Sequence, residues 1–272
     1  MIASRTCGAW LMAVVIGAAS LTSISDADAQ TSIVLGGGAT EGAEADDLAA
    51  LNAATEAFQR GGYPALGRHL RPLRRALERA PASYGTIESL SETEWVVRSN
   101  DETDALLLSA MASAVSEQQS AGRAVTITAQ PNVYPAIALL LGSEAVERHA
   151  LDEATRYLDR GLAMQPAHAE LASEKMAVLQ AQGRMADALA IGDAVLAEGG
   201  LLPLSAGQGI MQRRRAFSLI ELGRLAEARE ALNASLEHDP DNAAALNEIR
   251  YIDSLESGGR TTAGQAIVPN GN

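Results

Sequence analysis

The chain has 272 residues, with 21 Lys and Arg against 34 Asp and Glu and a formal charge of −13. So acidic a surface argues against a sequence-independent hold on nucleic acid, which needs clustered bases. Apolar residues make up 47%, enough for a core and too many for global disorder, whereas aromatics make up only 3%; the apolar mass is mostly Ala and Leu, which favour helix over strand.

Residues 1–5 are short and singly basic, residues 9–19 are apolar, and a polar stretch ends in Ala27-Asp28-Ala29. This is the layout of an export leader, so a signal peptide is expected over 1–29, cut after Ala29, with Gln30 as the mature N-terminus. Its apolar run falls short of the roughly 20 residues that span a bilayer. Cys7, the single cysteine, precedes that run, so the expected mature chain carries neither a lipid-bearing cysteine nor a disulfide framework. The expected location is periplasmic or secreted.

Residues 30–47 are rich in Gly, Ala and acid and read as a flexible linker. Ser32-Ile33-Val34-Leu35 followed by Gly36, Gly37 and Gly38 imitates a strand entering a phosphate loop. However, Glu41 stands where a dinucleotide loop needs Gly, and the chain's one lysine, Lys175, is far away. A helical N-terminal part is expected over 48–134. Leu66, Leu70, Leu73 and Leu77 form one stripe, with a kink or restart at Pro72. Arg68, Arg71, Arg75 and Arg79 mark a solvated opposite face. Within 82–134, residues 95–98 and 124–128 read as short parallel strands joined by a helix that Asn100 caps and that ends near Gln119.

From residue 135 the chain repeats itself. Leu151-Asp152-Glu153-Ala154, Met185-Ala186-Asp187-Ala188 and Leu225-Ala226-Glu227-Ala228 align with each other. So do Gly161-Leu162, Val195-Leu196 and Ser235-Leu236, and so do Pro166, Gly200 and Pro240. The first offset is 34 residues throughout and the second is 40. Period 34 is that of helix-turn-helix repeats, and the six extra residues fit the 199–207 segment.

At these residues the chain resembles a tetratricopeptide-repeat (TPR) protein of an exported bacterial type. Ala138, Leu141 and Gly142 match the pattern's first helix. Ala154, Leu158, Gly161 and Pro166, then Ala228, Leu232, Ser235 and Pro240, match its second. Met176 and Gly200 depart from it. The expected fold is mainly α, a TPR-like helix-turn-helix solenoid with a small α/β insert. Its repeats span 135–168, 169–208 and 209–242, with a closing helix to 257 and a disordered tail over 258–272. Residues 50–81 are a candidate degenerate repeat.

The resemblance implies a concave face lined by the second, fifth, ninth and twelfth positions of each first helix. These are Ala136, Leu139, Ser143 and Val146; Glu170, Ser173, Ala177 and Gln180; and Ile210, Arg213, Phe217 and Ile220. Family members that clamp a peptide's terminal carboxylate use Lys and Asn there, and this chain has neither. The expected ligand is therefore a protein or peptide segment with apolar anchors, and the expected function is a non-catalytic interaction module or scaffold of the cell envelope. No cofactor or metal is expected: His69, His149, His168 and His238 lack ligand spacing, and no nucleophile elbow occurs. The rival reading is an envelope hydrolase using Glu88, Glu92, Glu94, Asp101, Glu102 and Asp104 of the insert.

Overall fold

The structure is a computed structural model that describes residues 23–25, 31–35, 42–119, 123–197 and 204–258. Most of the leader, the leader's cleavage point and the tail beyond 258 lie outside the described residues. In chain order the elements are β1 (Ser23–Ser25), β2 (Thr31–Leu35), α1 (Ala43–Gly61), α2 (Leu70–Arg79), β3 (Ile87–Ser89), β4 (Glu94–Ser99), α3 (Glu102–Gln119) and β5 (Val125–Pro131). The helices α4 (Val133–Glu147), α5 (Leu151–Met164), α6 (Ala169–Ala181), α7 (Met185–Ala197), α8 (Leu204–Glu221), α9 (Leu225–His238) and α10 (Ala243–Glu256) follow.

The strands form one sheet in the order β1-β2-β5-β4-β3, parallel at β2-β5-β4 and antiparallel at both edges. The expected strand-helix-strand unit is β4-α3-β5. The linker reading of 30–47 is corrected here: Thr31–Leu35 is a strand, and α1 already starts at Ala43. The cause is a non-local apolar row. Ile33 pairs with Ile127, and Ile127 pairs with Trp95. These residues pack with Leu108 and Ala112 of α3 in one cluster. Apolar burial along this row, together with the ladder hydrogen bonds to β5, offsets the entropy cost of ordering a short strand. Ser23–Ser25, inside the expected leader, pairs with β2.

The Leu66 to Leu77 stripe breaks before Pro72. Leu66 closes a 3-10 turn, and α2 begins at Leu70, so Pro72 falls in the first helical turn, where its missing N–H costs nothing. Of the arginine stripe, Arg79 pairs with the buried Asp47, which also accepts from the Tyr134 hydroxyl at 3.3 Å. Burial, with Asp47 close by, pushes the Tyr134 hydroxyl up to about 12.

The helical part has the tetratricopeptide-repeat fold: α4/α5, α6/α7 and α8/α9 are stacked antiparallel pairs closed by α10. Helices α1, α4, α6 and α8 touch one another in sequence and form the inner layer, while α2, α5, α7 and α9 each pack against the inner helix that follows. The pair α1/α2 occupies the place of a repeat before α4, so the α/β unit is inserted between two repeats. The six extra residues, expected at the end of the 169–208 repeat, are partly taken up by α8, which begins at Leu204.

Small residues let the pairs close. A Cβ on Gly142 would stand 2.8 Å from Leu158 Cδ2, and one on Gly161 would stand 2.9 Å from Ala138 Cβ. Gly183 and Gly223 take left-handed turns at φ 75° and 73°; the same repeat position in α4/α5 is His149, at φ 59°. The repeats are also stitched by ion pairs in register. Asp159 binds the buried Lys175 of the next repeat, and Asp193 binds Arg215 of the next at 2.6 Å.

The α/β unit is latched to the first repeat. Asn132 and Gln165 exchange amide hydrogen bonds of 3.0 and 2.8 Å, and Gln165 also donates to the Tyr84 carbonyl at 3.2 Å. The Tyr84 hydroxyl donates to Glu44 at 2.5 Å and accepts from the Val133 N–H at 3.3 Å. The Arg98 guanidinium lies 4.0 Å above the Tyr84 ring.

Candidate inner-face binding site

The inner helices α4, α6 and α8 carry the residues expected on the concave face, and the structure divides them. Glu170, Ile210 and Phe217 are exposed, and Ser143 and Ala177 are half-buried. Leu139 and Val146 are half-buried and pack on the core that α1, α2, α4 and α5 share through residues such as Leu51, Leu73, Ile137 and Leu158. Ala136 packs there too, beside a small cavity that it lines with Leu48 and Leu51 of α1 and the ends of β4 and β5.

The remaining positions are corrections. Ser173 and Gln180 are buried and bonded to α8. Arg214 Nε donates to the Ser173 hydroxyl at 3.3 Å, and the Gln180 amide donates to the Arg214 carbonyl and the Ser218 hydroxyl, both at 2.9 Å. Ile220 is buried in the C-terminal core cluster. Arg213 turns toward its own pair and donates to the Ser235 hydroxyl at 2.9 Å. Gly209 lacks the side chain that would otherwise meet the Arg213 guanidinium. All four expected positions on α4 are half-buried, and the expected positions that stand exposed lie on α6 and α8: Glu170, Ile210 and Phe217.

Sequence reading missed Tyr251. It lies on α10, 34 residues beyond Phe217 and at the same repeat position. Phe217 and Tyr251 are each 37% exposed and Ile210 is 36% exposed. Leu246 is 40% exposed, because Ala245 and Ile252 take the buried positions of α10.

Acids share this face. Glu174 on α6 is half-buried, and burial pushes its carboxyl above the ordinary range, with Arg214 opposing. On α10 the same happens to Glu248, through burial and then the nearby Glu221. Beside α6, burial and then Asp101 raise the Asp104 carboxyl at the start of α3.

The acids of the insert do not converge. Glu88 is paired to Arg98 at 2.6 Å and Glu92 to Arg123, while Glu94 opens β4. Asp101, Glu102 and Asp104 lie beyond the opposite end of that strand, which is roughly 17 Å long. Among the described residues no group of three or more His, Cys, Asp or Glu side chains is placed to hold a metal ion, and no helix is long and apolar enough to cross a membrane. His168 caps α6, its Nδ1 accepting from the Leu171 N–H at 3.5 Å.

No family model matches the chain. No curated protein matches it either. Among solved structures, the first TPR domain of Spaghetti (RPAP3), bound to an HSP90 peptide SRMEEVD, is 22% identical; the match covers 46% of this chain and 94% of that one, with a TM-score of 0.41. The first TPR domain of human RPAP3 is also 22% identical over the same shares, with a TM-score of 0.42. A thermophilic TPR protein of Thermus thermophilus is 19% identical over 77% of this chain and 99% of that one, with a TM-score of 0.37.

Proposed function

We propose that this chain is a non-catalytic protein–protein interaction module of the bacterial cell envelope, exported by a leader cut after Ala29, and that it holds a protein or peptide segment on the inner face from α6 to α10. One observation carries the reading. Among the described residues the aromatic side chains that stand exposed are Phe217 and Tyr251, and both lie on this face at one repeat position. Exposed aromatics are costly to leave in water and are enriched at protein interfaces. The two ends of β4 keep the insert's acids apart, which favours this reading over the hydrolase.

A photo-crosslinking residue at position 217 in the producing cell tests it. A discrete adduct from 217, absent from position 230 on the outer helix α9, is the expected result. Equal or no adducts at both positions would overturn the reading. N-terminal sequencing of the native protein tests export: Gln30 as first residue is expected, and an intact Met1 on a cytosolic protein would end it.

A further inference from the structure

We propose that the inner face from α6 to α10 takes a basic segment of its partner, one in which Lys or Arg side chains flank aromatic or aliphatic anchors. The inference rests on the binding role proposed above and narrows the partner's chemistry. The apolar half of the site is Ile210 and Phe217 of α8 and Tyr251 of α10, all exposed. The acidic half is Glu174, Glu221 and Glu248, on α6, α8 and α10.

Among the described residues Glu174, Glu221 and Glu248 form no ion pair, in contrast to acids at the joints between repeats: Asp193 meets Arg215 at 2.6 Å and Asp253 meets Arg229 at 2.6 Å. Arg213 donates to Ser235 and Arg214 to Ser173, so Arg214 reaches Glu174 through its charge and not through a direct ion pair. Glu174 and Glu248 are half-buried all the same. Half-buried carboxylates outside an ion pair cost free energy in the free protein. A cationic side chain laid beside them recovers that cost, and an acidic segment is repelled by the same charges. The aromatic pair supplies the faces on which an aliphatic stem or a guanidinium stacks.

The test uses the full chain and a fluorescent peptide that alternates Lys with Trp and Leu, together with its Glu-for-Lys counterpart. The Lys peptide is expected to bind at least about tenfold more tightly than the Glu peptide, and to weaken as salt rises. Glu174→Gln with Glu248→Gln should weaken it about fivefold. Glu230→Gln with Glu237→Gln, which removes the same charge from α9, should leave it unchanged. Equal weakening by both double variants would mean diffuse attraction to an acidic protein and would overturn the proposal.

If the two peptides bind alike and Phe217→Ala weakens both, the inner face binds peptides but the charge preference is wrong. If Phe217→Ala changes neither, the proposed function fails as well. An affinity gain of tenfold or more on removing residues 259–272 would make the chain's own tail the occupant and overturn the proposal. So would a dimer that Phe217→Ala dissolves, which would make a second copy the occupant.

Discussion

Replacing Gly161 by Ala tests the closeness of the helix pairs. A Cβ at Gly161 would stand 2.7 Å from Leu171 Cδ1 and 2.9 Å from Ala138 Cβ, where carbon atoms in contact sit about 3.5–4.0 Å apart. Leu171 is fully buried and has little room to turn, and the Ala138 Cβ moves only with the backbone of α4. The substitution gains about 1 kcal/mol of helix propensity but overpacks the joint at a cost of about 1–3 kcal/mol. The upper half of that range applies because two neighbours are hit at once, so a net loss of about 1–2 kcal/mol is expected. Gly67→Ala is the matched control: no heavy atom lies within 4 Å of a Cβ there, and its φ of −41° suits alanine. It should gain about 0.4–1 kcal/mol through the unfolded state. Urea denaturation followed by far-ultraviolet circular dichroism compares the two. If Gly161→Ala were as stable as the parent, α4, α5 and α6 would not meet as described.

Three further outcomes follow from the same structure. His149→Gly should raise the melting temperature, because His149 holds a left-handed backbone that costs a non-glycine residue about 1 kcal/mol; an unchanged or lower value would remove that strain. Asp159→Ala should destabilise by about 1–3 kcal/mol, because it strands the buried Lys175 ammonium, while Lys175→Met should cost little; equal losses from both would contradict the pairing. Glu174 has a raised folded-state pKa, so the stability linked to its proton is fully present below the ordinary carboxyl range and is lost as pH rises through the raised value. Glu174→Gln, which mimics the neutral form, should therefore melt higher than the parent at neutral pH, with the gap closing in acid. A gap that widened in acid would reverse the sign.

The repeats were legible because their determinants are local and periodic. Ala154, Gly161, Ala228 and Ser235 recur at fixed offsets because each sits where two helices must touch. Strands β4 and β5 were legible from their own composition. Strand β2 was not, because what orders Thr31–Leu35 is pairing with Ile127 and its neighbours, about ninety residues away, while the adjacent glycines argued for a linker. The inner face was half legible. Counting positions placed Phe217 and Ile210 on it, but it could not tell that Gly209 would open room for Arg213 to turn to Ser235. Nor could it tell that Ser173 and Gln180 would be consumed by α8. Tyr251 and the ladder of Asp159–Lys175 and Asp193–Arg215 carried a readable signal, since both follow the same offsets as the small residues.

The most direct measurement places a photo-crosslinking residue at position 210 in the producing cell, with and without Phe217→Ala, and records the melting temperature of each purified chain. Binding at the inner face predicts that the variant lowers the adduct yield by about tenfold while the melting temperature holds within about 2 °C. A melting temperature that falls while the adduct yield holds would make Phe217 a core residue and contradict an inner-face site.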